Sequence, residues 1–250
     1  MISDIFVRSC AALLWPFGKI IRCFCAMQRY LGGIVGRVRL RGSMAGARMR
    51  SDGQIRSKLV VGLGNPGMED TRHSVGMAVL AALAARLNPG ERWRGDKQVS
   101  GDVMVAEVRG ARLVLLRPKV LMNINGVSVA KAARKYGVQA EDIVLVHDEL
   151  DKSLGKMSIK HGGSARGHNG VRSCVACLHA DVMLRLRVGI GRPAERMSVE
   201  RHVLGRFTAE EQKVLDTVLV QSVDMLLSQL SKEDQGQSSS SPAGGRHGAL

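Results

Sequence analysis

VVGLGNPG, Val60 to Gly67, decides how the rest of the chain is read. Gly62, Gly64 and Gly67 fall at G-x-G-x-x-G, the spacing of a dinucleotide-binding turn. In such a turn the helix opens within the glycines, so its first N–H groups can hold pyrophosphate. Here Pro66 interrupts, and MEDTRH follows before a helix can begin. The acid expected at the end of a second strand, about 20 residues on, is also missing. The loop is therefore read as one that displays side chains. Asn65 leaves the carboxyl end of a first strand, and His73 stands eight residues later at the mouth of the next helix. The glycines and Pro66 are read as a tight turn that lets a substrate approach the backbone.

Working outward, KLVVGL is a buried strand, and a helix follows from about Ser74 with Val75, Val79, Ala82 and Leu83 on one face. VMVAEV and ARLVLL flank Gly110 as a hairpin. GVSVAKAARKYG is a helix stopping at Gly137, where glycine takes the left-handed conformation. IVLVHDEL is a buried strand that delivers charge at its carboxyl end, and KMSIK is another strand. A glycine-rich loop then leads into the helix GVRSCVACLHA, followed by the strand RLRVGIG. TAEEQKVLDTVLVQSVDMLLSQL is a long amphipathic helix with Thr208 and Glu211 spaced as a capping box. Strands alternating with helices, plus one hairpin, predict a single α/β domain over residues 57–231 with a mixed, mostly parallel sheet flanked by helices.

The segments on either side have a different character. Residues 1–58 hold +9 of the formal net charge of +15, leaving a modestly basic body of +6 that suits a polyanionic partner. Residues 1–56 are rich in arginine and poor in acids, in the manner of a mitochondrial transit peptide; a disordered basic extension on a cytoplasmic protein is the alternative. ALLWPFGKIIRCFCAM is too short and too charged to span a membrane, so no stable membrane association is expected. Residues 232–250, with SSSSPAGG, are read as a disordered polar tail. Aromatic residues make up 3% of the chain, which argues against a surface built mainly on stacked bases. Five cysteines without regular spacing do not describe a disulfide framework and favour a reducing compartment. Cys174 and Cys177 have metal-ligand spacing but lack a second pair and sit in an amphipathic helix, so they are read as buried helix residues.

Several polar residues gather at the carboxyl ends of the strands, where open α/β sheets bind ligands. His73 in that place suits a general base. Asp148, in VHDELD, can orient its imidazole; a cap, or an ion pair with Lys152 or Lys156, is the other reading. In LMNING, Asn125 is the helix N-cap, which leaves Asn123 for another role. HGGSARGHNG places His168 and Asn169 beside Arg166 and Lys160, a loop suited to phosphate or sugar, or else a plain loop with a capping Asn.

Taken in order, VVGLGNPG, TRHSVG, RPKVLMNINGVSV, VHDELDKSLGKMSIK, GGSARGHNGVRS and LRVGIGRP resemble the bacterial-type peptidyl-tRNA hydrolase family over about residues 58–230. TRHSVGMAVL, HDELDKSLG and GGSARGHNGVRSC look most like the animal, mitochondrial members. The resemblance implies hydrolysis of the ester bond between peptide and tRNA in prematurely released peptidyl-tRNA, with His73 activating water and Asp148 in support. Asn65, Asn123 and Asn169 would line the site, contacting the peptide end and the terminal adenosine, with Met122 and His168 beside them. Lys160 and Arg187 match positions that grip the tRNA 5′-phosphate. No metal or other cofactor is implied, and a monomer is expected. The link GMEDTR between Asn65 and His73 departs from the family pattern, which has two more residues and a Tyr after the Glu. A non-catalytic RNA-splicing cofactor on the same fold is the alternative function.

Overall fold

A computed structural model describes residues 57–235, apart from 89, 91, 109–110 and 194–196. The extension 1–56, the tail beyond 235 and the hairpin turn at Gly110 lie outside the described residues. The strands are β1 Ser57–Gly62, β2 Arg94–Asp96, β3 Gly101–Val108, β4 Ala111–Pro118, β5 Ile143–Glu149, β6 Met157–His161 and β7 Leu184–Gly189. The α-helices are α1 Val75–Leu87, α2 Asn125–Tyr136, α3 Asn169–Leu178, α4 Val199–Val203 and α5 Ala209–Gln235. All seven strands form one sheet in the order β2-β3-β4-β1-β5-β7-β6. The centre, β4-β1-β5-β7, is parallel, whereas β2 and β3 at one edge and β6 at the other are antiparallel to their neighbours. The fold is the mixed α/β arrangement expected.

The continuous apolar runs of β1 and β5 follow from burial on both faces. Val60, Val144, Val146 and Leu186 belong to a core shared with α1 and α5, through Val79, Leu83, Leu215 and Leu226. Leu59, Val61, Leu63 and Leu145 face the other way, into a second core with Val129 and Ala132 of α2 and Val171 and Cys174 of α3. Cys174 is fully buried, and burial, with Cys177 close by, raises its thiol far above the ordinary range. Cys177 is only half-buried.

The glycine fingerprint has a packing role that its spacing does not reveal. A Cβ on Gly62 would come within 2.5 Å of the Gly76 carbonyl oxygen, and one on Gly76 within 2.2 Å of the Val146 oxygen. These two glycines let α1 cross β1 and β5 at backbone contact. The reading of Gly62 as part of a substrate-facing turn is therefore corrected. The turn itself is real: Asn65 to Met68 closes with a Met68 N–H to Asn65 O bond of 3.2 Å, Pro66 leads it, and Gly67 takes φ +77°.

Other local expectations hold or shift for identifiable reasons. Gly137 stops α2 at φ 66°. Thr208 and Glu211 form the reciprocal capping box, with Glu211 N–H to Thr208 Oγ1 at 3.2 Å and Thr208 N–H to Glu211 Oε2 at 2.7 Å. The helix they start continues to Gln235, four residues into the stretch read as tail. Asn125 is not an N-cap. It is the first residue of α2, fully buried, and its Oδ1 accepts from Gly64 N–H at 3.2 Å while Nδ2 donates to the carbonyls of Val120 and Leu121. Its amide thus ties the loop before α2 to the loop after β1. Among the described residues no helix is long and apolar enough to cross a membrane.

Candidate active site

β1 and β5 are parallel neighbours, so their carboxyl ends lie side by side. The chain leaving β1 runs through Asn65 and the Pro66–Gly67 turn to a single 3-10 turn, Arg72–Ser74, that opens α1. Arg72 anchors this turn from the protein side. Its guanidinium donates to the Arg206 carbonyl at 2.6 Å and to Glu211 Oε2 at 2.5 Å, and its main-chain N–H bonds the Gly205 carbonyl. His73, the next residue, is consequently held facing the other way.

Its partner is Asp148, the penultimate residue of β5, of which 4% is exposed. His73 Nδ1 lies 2.9 Å from Asp148 Oδ1, and His168 Nε2 lies 2.9 Å from the same oxygen. Burial opposes a charge on Asp148, but the His168 imidazole and the hydrogen bonds from His168 and His73 outweigh it, holding the carboxyl well below its usual range. An ionised carboxylate only accepts, so both imidazoles donate to it. His73 therefore carries its proton on Nδ1 and keeps the Nε2 lone pair available.

His168 is fixed from its other side as well. As the N-cap of α3, its Nδ1 accepts the Val171 N–H at 3.2 Å, which requires the Nε2–H tautomer and matches the bond to Asp148. His73, Asp148 and His168 each place a possible ligand atom within 4.8 Å of the others. A metal ion would need the His168 Nε2 lone pair, yet a neutral imidazole has only one lone pair, and the helix cap uses it at Nδ1. The donor set suits proton chemistry better than metal chemistry.

The asparagines divide into an oriented one and two open ones. Asn65 Oδ1 accepts the Met122 N–H at 2.7 Å and its own N–H donates to Ser74 Oγ, so the side-chain NH2 is the free end of the amide. Met122 is buried as a wall, its sulfur occupying the place a Cβ on Gly170 would take. Asn123 and Asn169 are exposed on the cleft rim. Asn169 Oδ1 accepts from Arg172 at 3.2 Å, which leaves its NH2 outward. Asn65, His73, Met122, Asn123, Asp148, His168 and Asn169 all line one cleft of about 560 Å³.

Lys160 and Arg187 do not line that cleft. They lie on β6 and β7, Arg187 beside His147 of β5 in register and bonded to Glu149 Oε2 at 3.3 Å. The cleft instead gains a wall that motif reading passed over: Leu150, Asp151, Arg192, and Val199, Glu200 and Val203 of α4. His147 was passed over too. It is 3% exposed, donates from Nδ1 to the Asp148 carbonyl at 2.6 Å, and stands edge-on to His168 with centroids 4.7 Å apart. Burial, then the neighbouring His168, pushes its pKa down to about 3. Its place directly before Asp148 in VHDELD was the available signal, since both residues meet His168 and line the cleft.

An imidazole with an open Nε2, backed by a buried carboxylate and sharing its cleft with an amide donor, suits hydrolysis by an activated water on an α/β sheet. The comparisons with known proteins agree. The profile described as peptidyl-tRNA hydrolase matches residues 59–243, and the chain belongs to that family. A probable peptidyl-tRNA hydrolase of Mus musculus is 53% identical over 199 residues, 79% of this chain and 98% of the mouse protein. A peptidyl-tRNA hydrolase of Rhodococcus erythropolis is 42% identical over 168 residues, 66% of this chain and 87% of its own length. The crystal structure of peptidyl-tRNA hydrolase from Acinetobacter baumannii superposes with a TM-score of 0.64 at 34% identity, covering 74% of this chain and 92% of that one.

Proposed function

We propose that this chain hydrolyses the ester bond joining a peptide to tRNA, releasing both from peptidyl-tRNA. The observation that carries the reading is the 2.9 Å bond from His73 Nδ1 to Asp148 Oδ1, which leaves Nε2 as a base. Water loses a proton to His73 Nε2 as its oxygen attacks the ester carbonyl carbon. The carbonyl oxygen becomes an oxyanion, and the Asn65 NH2 is its donor. Collapse breaks the bond to the ribose oxygen, which takes the proton back from His73. Asp148 stays ionised and balances the imidazolium that forms between the two steps. An ester is intrinsically easier to cleave than an amide, so a positioned base and one donor account for the chemistry.

Asn123, Asn169 and Met122 would hold the terminal adenosine and the peptide end at the cleft. Lys160 and Arg187, on the adjoining strands, would contact tRNA phosphate outside it. We read the chain as acting as a monomer, to be checked by sedimentation. We read residues 1–56 as a mitochondrial targeting segment. A full-length chain that stays in the cytosol and keeps its N-terminus would overturn that. The activity is tested on purified peptidyl-tRNA: wild type should release tRNA, and His73→Ala should lose roughly 10²–10⁴-fold in rate. Binding of tRNA without release would instead favour a non-catalytic RNA-binding protein.

A further inference from the structure

The glycine-rich loop Gly162–His168 has to deliver His168 to Asp148, yet three of its seven residues are glycines with little intrinsic preference for one conformation. What organises it is Arg185 of β7. Arg185 is 2% exposed, and the hydrogen-bond partners of its guanidinium are three successive main-chain carbonyls rather than a carboxylate. Nη1 donates to the Ser164 oxygen at 2.9 Å, and Nη2 donates to the oxygens of Gly162 and Gly163. Gly162 and Gly163 take φ +55° and +83°, the left-handed values that accompany this turn of the chain onto one cation. The Gly162 N–H is tied back to the Met183 carbonyl, and the His168 N–H to the Ala165 carbonyl.

The loop is thus held at two points on neighbouring strands. Arg185 stands in register with Leu145 of β5, and three residues further along that strand is Asp148, which takes the His168 proton donor. Buried charges are costly unless they are compensated, so the three carbonyl dipoles cannot turn away without stranding the guanidinium. We propose that Arg185 is a positioning residue for the hydrolysis proposed above: it fixes Gly162–Ser164 and through them the placement of His168 on Asp148. It touches neither substrate nor the reacting atoms.

The test uses the full chain with Arg185→Met, Arg185→Lys, His168→Ala and the double variant Arg185→Met/His168→Ala. Amide exchange of a peptide covering 162–168 should accelerate at least tenfold in Arg185→Met while β1 and β5 stay protected. The rate constant kcat on peptidyl-tRNA should fall roughly 10- to 100-fold, since small displacements of catalytic groups are costly. Arg185→Lys, which keeps a cation able to reach some of the carbonyls, should recover part of it. In the His168→Ala background the Met substitution should cost less than threefold, because its route to Asp148 is already gone. Unchanged loop exchange, or an equal loss with and without His168, overturns the proposal. If Arg185→Met does not fold, Arg185→Lys carries the same cycle and the same criteria. Wild type that fails to cleave peptidyl-tRNA would sink the functional reading alone, and the exchange measurement would still decide whether Arg185 holds the loop.

Discussion

The side-chain oxygen of Asn65 accepts the main-chain N–H of Met122 at 2.7 Å, and this bond decides which end of the amide faces the cleft. Asn65→Asp keeps an acceptor for Met122 but removes the NH2. It should lower kcat by about 10²–10³-fold, the cost of one oxyanion donor, with a smaller effect on KM. Steady-state kinetics on peptidyl-tRNA measure both. An Asp variant with wild-type kcat would show that Asn65 does not serve the oxyanion.

Asp148 organises two imidazoles through one oxygen. Asp148→Asn still offers an oxygen but no charge to balance the imidazolium, and its NH2 competes for the wrong histidine tautomer. A fall of roughly 10²–10⁴-fold in kcat is expected, close to that of His73→Ala, because the two groups act as a unit. The double variant should then be little worse than either single one. Additive losses would mean that Asp148 works independently of His73.

His147 predicts how stability depends on pH. Its folded pKa of about 3 lies below the roughly 6.5 of an exposed histidine. Between those values the unfolded chain binds a proton that the folded chain does not, so stability is full above about pH 6.5 and falls as pH drops toward 3. One proton gives a slope of at most about 1.4 kcal/mol per pH unit. The groups around the imidazole are His168, Asp148 and Arg185. Asp148, with its lowered pKa, adds a loss only at more acid pH, below the roughly 3.9 of an unfolded aspartate. Urea midpoints at pH 7.5, 6 and 5 should therefore decline in wild type and flatten in His147→Gln. Parallel slopes would refute the buried neutral imidazole.

Much of this could be seen in the residues themselves, and the exceptions have identifiable causes. The apolar runs of β1 and β5 announce strands buried on both faces, and the abrupt charge at the end of IVLVHDEL announces a site. β2, of three residues, and α4, of five, are too short to show a period. Asn125 looks like a cap because asparagines cap helices, but its acceptor bond goes to Gly64, 61 residues away. Histidine is an unusual N-cap, so the capping alternative for HGGSARGHNG falls on an asparagine, whereas His168 is the residue that caps α3. Arg185 was simply a polar residue within a strand. For Asn125 and Arg185 the missing information is a partner distant in sequence, which local pattern cannot supply.

The packing role of Gly62 and Gly76 separates the fingerprint's spacing from any nucleotide. Gly76→Ala places a methyl group 2.2 Å from the Val146 oxygen, so α1 must move off the sheet. Overpacking of this kind costs about 1–3 kcal/mol, and backbone cannot yield as a side chain would. Chemical denaturation should show that loss. Gly67→Ala meets no neighbour but is strained at φ +77°, so it should cost less, about 1 kcal/mol. Equal losses at the two positions would contradict the close crossing.

That His168 both caps α3 and holds Asp148 gives the enzyme a melting point of its own for function. Helix ends fray more readily than sheets dissolve. When the first turn of α3 opens, the imbalance reaches Asp148 at once, while β1, β5 and β7 remain paired. Heat should therefore silence catalysis some degrees before the sheet unfolds, and cooling from that interval should restore it without refolding.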